Sequence, residues 1–119
     1  MDWRLTDDRP IWLQLSEQVA RRIVIGAYPP GSKLPTVREL AAEAGVNPNT
    51  MQRALAQLEQ DGLAKADRTA GRTVTGDTEV IERARRAYAK VNIDLFLEGM
   101  AELGYDREEA ISLLEEGKP

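Results

Sequence analysis

Residues 34–63 have the sequence LPTVRELAAEAGVNPNTMQRALAQLEQDGL, which predicts two short helices joined by a tight turn. The first helix begins at Thr36, because a threonine followed three residues later by Glu39 forms a capping box that satisfies two backbone N–H groups. Gly45 ends this helix. Its apolar residues repeat at helical spacing and are Val37, Leu40, Ala41 and Ala44.

The second helix of the pair has equally clear ends. Asn47 is a favoured N-cap, Pro48 suits the first helical position, and Gly62 is a typical left-handed stop. The apolar residues of this helix are Met51, Ala54, Leu55 and Leu58. Two helices of about nine and fourteen residues around such a turn predict a helix-turn-helix.

The segment before this pair predicts one more helix, over residues 9–26. Pro10 suits its first turn and Gly26 ends it. Residues 28–31, with the sequence YPPG, then form a tight and stiff connection. The apolar stripe of the helix consists of Trp12, Leu15, Val19 and Ile23.

The segment after the pair changes from helical to strand character. Residues 63–66 and 72–75 predict two short strands, and residues 67–71 predict the hairpin between them, in which Gly71 supplies an unusual backbone angle. This order of elements predicts a winged helix-turn-helix. We therefore expect a mainly α fold of the α+β class, with a small β-hairpin wing.

Residues 1–76 and 77–119 form the two expected domains, a winged helix-turn-helix and a dimerisation tail of two helices. The first tail helix covers about residues 78–103, and Asp106 caps the second. No other element of the chain is left to cover the apolar stripe of the tail, so we expect it to pair two copies. The expected interface residues are Ile81, Ala84, Tyr88, Val91, Leu95, Phe96, Leu103, Ile111 and Leu114.

The composition argues against catalytic and metal chemistry. The 119 residues include no cysteine and no histidine, which removes thiolate nucleophiles and the commonest general base and metal ligand. Nothing resembles a phosphate-binding loop, so we expect neither an enzyme nor a cofactor or metal. No run is long and apolar enough to span a membrane, and no signal peptide is evident, so we expect a cytoplasmic protein without a membrane partner.

The net charge of −4 is unusual for a nucleic-acid-binding protein, but it is unevenly distributed. Residues 1–76 carry ten Arg or Lys and nine Asp or Glu, whereas residues 77–119 carry six and eleven. The acidic excess therefore lies in the predicted tail. DNA binding by the first domain must depend on a local arrangement of basic residues.

The polar face of the second helix of the pair carries side chains suited to DNA. Asn49, Gln52 and Arg53 point away from its apolar side, and these residue types form paired hydrogen bonds with adenine or guanine. The start of the helix at Asn47 favours a phosphate, and the Thr50 hydroxyl is placed to add another phosphate contact. The full expected DNA-binding set is Thr36, Arg38, Asn47, Asn49, Thr50, Gln52, Arg53, Arg68, Gly71 and Arg72.

Three further arginines are expected to contact the DNA backbone. Arg38 lies in the first turn of its helix, away from the apolar stripe, where a phosphate contact would fix the docking angle. Arg68 and Arg72 flank the small-residue tip at residues 69–71, which suits a minor groove. Each could instead be a solvated surface residue, and Asn47 caps its helix whatever else it does. The surrounding fold favours DNA contact.

Three stretches resemble the DNA-binding domain of GntR-family transcription regulators: LPTVRELA at 34–41, GVNPNTMQRAL at 45–55 and LEQDGL at 58–63. The resemblance covers roughly residues 9–75. The short two-helix tail resembles that of the YtrA subfamily, which implies homodimerisation. The resemblance implies DNA contacts at Arg38, Asn47, Asn49 and Thr50, and at the wing tip, Gly71.

Two positions depart from the family pattern, because many members carry arginine where Pro48 and Gln52 stand. We therefore assign Pro48 only a structural role. The whole pattern predicts a transcription repressor that binds a pseudo-palindromic operator as a homodimer. The alternative is a winged-helix protein-interaction module that does not bind DNA, which the acidic net charge favours. An effector site is left open, with Tyr88, Phe96 and Tyr105 as its candidate walls.

Overall fold

The structure is a computed structural model that describes residues 2–69 and 71–117. Within them it contains five helices and one antiparallel pair of strands, which confirms the mainly helical winged fold. The elements are α1 (Ile11–Val24), α2 (Val37–Ala44), α3 (Pro48–Gln60), β1 (Ala64–Asp67), β2 (Gly71–Val74), α4 (Thr78–Glu102) and α5 (Arg107–Glu116). The chain divides into two compact units, Met1–Arg85 and Arg86–Pro119. The division falls inside α4, whereas the sequence places the domain boundary just before that helix.

The core of the first unit forms where α1, α2 and β1 pack against α3. Its largest fully buried side chains are Leu15, Val19, Ile23, Leu40, Met51, Leu55, Leu58 and Val74. The helical members of this set lie on the apolar faces that the sequence spacing predicts. Because burying each such side chain stabilises the fold by about 1.5–3 kcal/mol, packing determines which side of α3 remains in solvent.

Side-chain caps set the starts of α2 and α3, as predicted. The Thr36 hydroxyl accepts the backbone N–H of Glu39 at 3.1 Å, and the Glu39 carboxylate accepts the backbone N–H of Thr36 at 3.0 Å. The Asn47 side chain accepts the backbone N–H of Asn49 at 2.8 Å. The start of α1 differs from the prediction, because Pro10 is its N-cap rather than a residue of its first turn.

The capping box predicts a specific acid sensitivity. Hydrogen bonds from Thr36, first from its backbone N–H and then from its side chain, hold the pKa of Glu39 below its usual value. A pKa that is lower in the folded chain contributes stability above the unfolded pKa, and this stability is lost as pH falls through the folded pKa. We expect Glu39→Gln to remove that part of the acid sensitivity.

Urea unfolding between about pH 6 and about pH 3 would measure this difference. Glu98→Gln is the control, since Glu98 is an exposed carboxylate of α4. An acid dependence in Glu39→Gln that parallels the wild type would contradict the prediction.

The wing is the antiparallel hairpin of β1 and β2, with each strand displaced by one residue from its predicted position. Gly71 has a φ of +75°, as its place beside the turn requires. The segment before α2 also joins the sheet. The backbone N–H of Val74 donates to the Ser32 carbonyl at 2.8 Å, and that of Leu34 donates to the Arg72 carbonyl at 2.9 Å. This segment is therefore an edge of the wing rather than only a connection.

An arm of residues 2–9, which the sequence analysis did not predict, is bonded to α1. The carboxamide of Gln18 accepts the backbone N–H of Arg4 at 2.9 Å and donates to its carbonyl at 2.6 Å. One turn earlier, the carboxamide of Gln14 makes the same pair of bonds with Thr6, at 2.8 and 2.9 Å. Two glutamines thus hold the arm as a neighbouring strand would.

Arg22 is a buried cation where the arm, α1 and α2 meet. It is only 5% exposed, and its guanidinium donates to Glu43 at 3.0 Å and to the Tyr28 hydroxyl at 2.9 Å. Its Cζ lies 4.1 Å from the centroid of the Trp3 ring, and the Trp3 indole N–H donates to the same Glu43 oxygen at 3.0 Å. Because a buried charge requires such partners, this cluster joins three segments of the domain.

The second unit consists of the end of α4 and α5, joined through Gly104, which has a φ of +89°. Asp106 and Glu109 form the predicted capping box, with bonds of 2.8 and 3.2 Å. Ala110 is buried. The exposed apolar residues are Val91, Ile93, Leu95, Phe96, Leu103, Ile111, Leu113 and Leu114. Across the described ranges, no helix has both the length and the apolar character needed to cross a membrane.

Candidate nucleic-acid interface

The first two turns of α3 present a polar surface to solvent. Asn49, Gln52 and Arg53 are exposed and Thr50 is half-buried, while the apolar side of the helix is buried. Asn47 is exposed, and its side-chain oxygen is used as the cap. Pro48 has no backbone N–H, and the N–H groups of Asn49, Thr50 and Met51 all donate to Asn47. The phosphate contact expected at this helix start therefore stays a prediction.

Arg53 is held by a contact that the sequence analysis missed. Its Cζ lies 4.2 Å from the centroid of the Trp12 ring, within the range of a cation–π interaction. The sequence places Trp12 in the buried stripe of α1, but the residue is only half-buried, and its ring is in contact with this arginine. No pattern within α1 or α3 signals the pair, since the two residues come from different helices.

Arg38 is exposed in the first turn of α2 and makes no hydrogen bond or ion pair with any described residue. Its guanidinium is therefore available to a phosphate. Thr36 is also exposed, but its hydroxyl oxygen already accepts the backbone N–H of Glu39. Its cap role is thus observed, whereas its DNA contact stays a prediction.

The two wing arginines differ from each other. Arg68 is exposed and has no ion pair in the part of the chain that the structure describes. Arg72 is half-buried, and its Nε forms an ion pair with Glu59 of α3. Because this pair neutralises Arg72 and ties β2 to α3, Arg72 is less suited to a phosphate than the sequence predicts. Gly71 is exposed beside the tip, and Ala70, predicted as part of the tip, lies outside the described residues.

The carboxylates and the arginines near α3 differ in the partners that they have within the domain. The carboxylates of α2, α3 and the wing that accept hydrogen bonds within the domain are those of Glu39, Glu43, Glu59, Asp61 and Asp67. By contrast, Arg38, Arg53 and Arg68 form no ion pair with a described carboxylate. Exposed arginines without ion pairs on α2, α3 and the wing are the kind of local basic residues that DNA binding by a nearly neutral domain needs.

Comparison with known proteins identifies this arrangement. The sequence profile of the family described as "Bacterial regulatory proteins, gntR family" matches residues 13–74, from α1 to the last residue of β2. The chain belongs to the GntR family. It is therefore a transcription regulator with a winged helix-turn-helix of the GntR type, and the predicted absence of enzymatic function is confirmed, since the family and the relatives below are regulators.

The similarity to GntR-family relatives extends through the tail. YhcF of Bacillus subtilis, an HTH-type transcriptional regulator, is 33% identical over 93% of this chain and 92% of its own length. The HTH-type transcriptional repressor YtrA of the same organism is 32% identical over 82% of this chain and 70% of its own. The predicted resemblance to YtrA is thereby confirmed.

Solved GntR structures agree with this fold. A GntR family transcriptional regulator from Listeria monocytogenes is 35% identical and superposes with a TM-score of 0.86, covering 96% of this chain and 100% of its own. The DNA-binding domain of AraR in complex with operator ORX1 is 28% identical, with a TM-score of 0.55, covering 63% of this chain and 92% of its own. Members of the family thus bind operator DNA through this domain.

The expected interface residues of the GntR tail fall into two groups. Ile81, Ala84 and Tyr88 are half-buried, with Tyr88 making contacts within the chain. The others are exposed and form no part of the core: Val91, Leu95, Phe96, Leu103, Ile111 and Leu114. Of the candidate effector walls, Phe96 and Tyr105 are exposed as well. Their roles in dimerisation or effector binding stay predictions.

Proposed function

We propose that this GntR regulator is a repressor that binds a pseudo-palindromic operator as a homodimer. The observation that carries the proposal is the exposed polar start of α3, together with the exposed Arg53 of that helix and Arg38 of α2, neither of which forms an ion pair with a described carboxylate. In this proposal Asn49, Gln52 and Arg53 contact base edges in the major groove. The expected phosphate and wing contacts are Thr36, Arg38, Asn47, Thr50, Arg68 and Gly71, with Arg72 secondary because Glu59 already pairs with it.

Two relatives support the repressor and operator parts of the proposal. YtrA is a transcriptional repressor by its description, and the AraR domain is in complex with an operator. A dimer bound at an operator would block polymerase by occupying the same DNA. Such a protein would work in the cytoplasm, where bacterial operators are found.

The exposed apolar side chains of the tail support the homodimer. A protein with many large exposed apolar side chains is stabilised when a partner buries them. Most soluble oligomers contain copies of one chain, so a second copy is the expected partner. A two-fold axis through the tails would place the two α3 helices on half-sites about one helical turn, or a multiple of it, apart. The proposed operator is therefore an inverted repeat.

Selection of genomic DNA fragments by the purified chain tests the proposal directly. We expect the enriched fragments to share two inverted half-sites at fixed spacing, and the affinity to fall steeply with salt as phosphate contacts release counterions. If no duplex binds at low salt, DNA binding is wrong and the winged domain is a protein-interaction module. A single enriched half-site without an inverted copy would contradict the dimeric operator.

Arg38→Ala should weaken binding to every duplex by a similar factor. Arg38 is expected to contact a phosphate, so its loss reduces the slope of log affinity against log salt by about one unit without changing base preference. Titration of labelled duplexes at several salt concentrations measures both effects. Arg107→Ala, which removes the same charge from the tail, is the control, and an unchanged affinity in Arg38→Ala would remove this residue from the interface.

A further inference from the structure

The first unit contains two tryptophan–arginine contacts that leave their arginines in different states. Arg22 lies 4.1 Å from the Trp3 centroid and is buried, and its donors bind a carboxylate and a phenol oxygen. Arg53 lies 4.2 Å from the Trp12 centroid and is exposed, and it makes no hydrogen bond or ion pair within the described chain. The first contact is a closed structural cluster, whereas the second leaves the guanidinium donors available.

We infer that Trp12 is a positioning residue for sequence specificity, which directs Arg53 to one guanine in each operator half-site. The inference rests on the proposed function, because it concerns a base contact made by α3. It adds to the interface a residue of α1 that none of the predicted DNA contacts includes.

The chemistry of the guanidinium explains how a ring can direct it. The group is planar and carries its five N–H donors around its edge. An aromatic ring attracts the cation over its face and leaves those donors for other acceptors. A long arginine side chain would otherwise sample many rotamers, so holding it in advance reduces the conformational entropy lost on binding. Trp12 therefore acts through Arg53 in two ways: it fixes the direction of the guanidinium, and it raises the affinity for the operator.

The place of Arg53 on α3 suggests why the effect should be confined to one base pair. Arg53 follows Asn49 by four residues, so the two side chains lie on the same side of the helix. The start of this helix is the part that enters the major groove in a helix-turn-helix. There an arginine forms its specific paired hydrogen bonds with O6 and N7 of guanine. Loss of the Trp12 ring should weaken the preference for guanine at that base pair and leave the base preference at the other positions unchanged.

The experiment measures base preference rather than affinity alone. Each position of the selected half-site is varied in turn, and the dissociation constants for guanine and for the next-best base are compared at constant salt. We expect Arg53→Ala to reduce this ratio roughly 10-fold at one position. Trp12→Leu should reduce it about 3-fold to 10-fold at the same position, and the double variant should lose no more than Arg53→Ala.

Two further variants separate positioning from folding. Trp12→Phe keeps a ring beneath Arg53 and should retain most of the preference. Trp3→Leu is the matched control, because it removes the other tryptophan from the other arginine; it should lower thermal stability without changing preference at any position. The ratio compares two duplexes bound by the same protein, so a partly unfolded sample does not alter it.

An unchanged ratio in Trp12→Leu would overturn the inference, as would an equal loss at every base position. Full base preference in Arg53→Ala would overturn it as well, because the ring would then have no base contact to direct. In each of these cases the wild-type chain still binds its operator, so its proposed function as a repressor stands. Full base preference in Arg53→Ala would in addition remove Arg53 from the proposed base contacts. If the wild-type chain binds no duplex at low salt, the proposed function fails and the inference fails with it.

Discussion

Leu95→Asp is expected to leave a monomer that no longer binds a full operator tightly. Leu95 is 60% exposed on α4, one helical turn after Val91, which is 52% exposed. In the proposed dimer both side chains face the partner, so each of the two introduced carboxylates loses its hydration at a cost of several kcal/mol. The dimerisation constant should fall by at least about 100-fold, which light scattering would report as the mass of a single chain.

Operator binding provides a second measurement of the same change. Without the link between two winged domains, affinity for an operator with both half-sites should fall by about 100-fold or more, while affinity for a single half-site is unchanged. Ala101→Asp is the control, because it adds the same charge to an exposed position of α4, about a third of a turn around the helix axis from Leu95 and on the side away from Phe96. A dimer that persists in Leu95→Asp would place the interface elsewhere.

Glu43→Ala is expected to destabilise the winged domain by about 2–3 kcal/mol, because it leaves the buried Arg22 without its carboxylate. Removing one partner of a fully buried pair costs roughly 3–5 kcal/mol. The expected loss is smaller here because the Glu43 side chain is 46% exposed. The same substitution also removes the acceptor of the Trp3 indole N–H. In a domain of this size the melting temperature should fall by about 10 °C or more.

Glu17→Ala provides the matched comparison for this loss. Glu17 accepts two hydrogen bonds from Arg9, at 2.9 and 2.7 Å, but both side chains of that pair are substantially exposed. Exposed pairs contribute about 0–1 kcal/mol, so thermal unfolding should separate the two variants clearly. An equal loss of stability in the Glu43→Ala and Glu17→Ala variants would show that the burial of Arg22 does not determine the cost of removing its partner.

The ends of α2 and α3 were predictable from sequence because their causes are local. The Thr36–Glu39 capping box and the Asn47 cap join residues at most three positions apart, and both are present. The displaced strands of the wing were predicted less well. Short strands have no caps, and the bonding of β2 to the segment before α2 depends on chain folding that no local pattern records.

The candidate interface was predictable in part, for the same reason. Helical spacing placed Asn49, Gln52 and Arg53 on the exposed side of α3, where the structure has them. It could not show that Glu59 pairs with Arg72, because a surface arginine and a helical glutamate each appear as solvated charges until the wing folds beside α3.

The sequence by itself determined the order, type and approximate ends of the elements, since capping, glycine stops and apolar spacing act within a few residues along the chain. Only the tertiary structure decided which long side chains are held in place and by which partners. Arg22 meets Glu43, and Arg53 meets Trp12, because packing brings two different helices together at each point. Such contacts join positions far apart in sequence, and each partner alone looks like an ordinary helical residue.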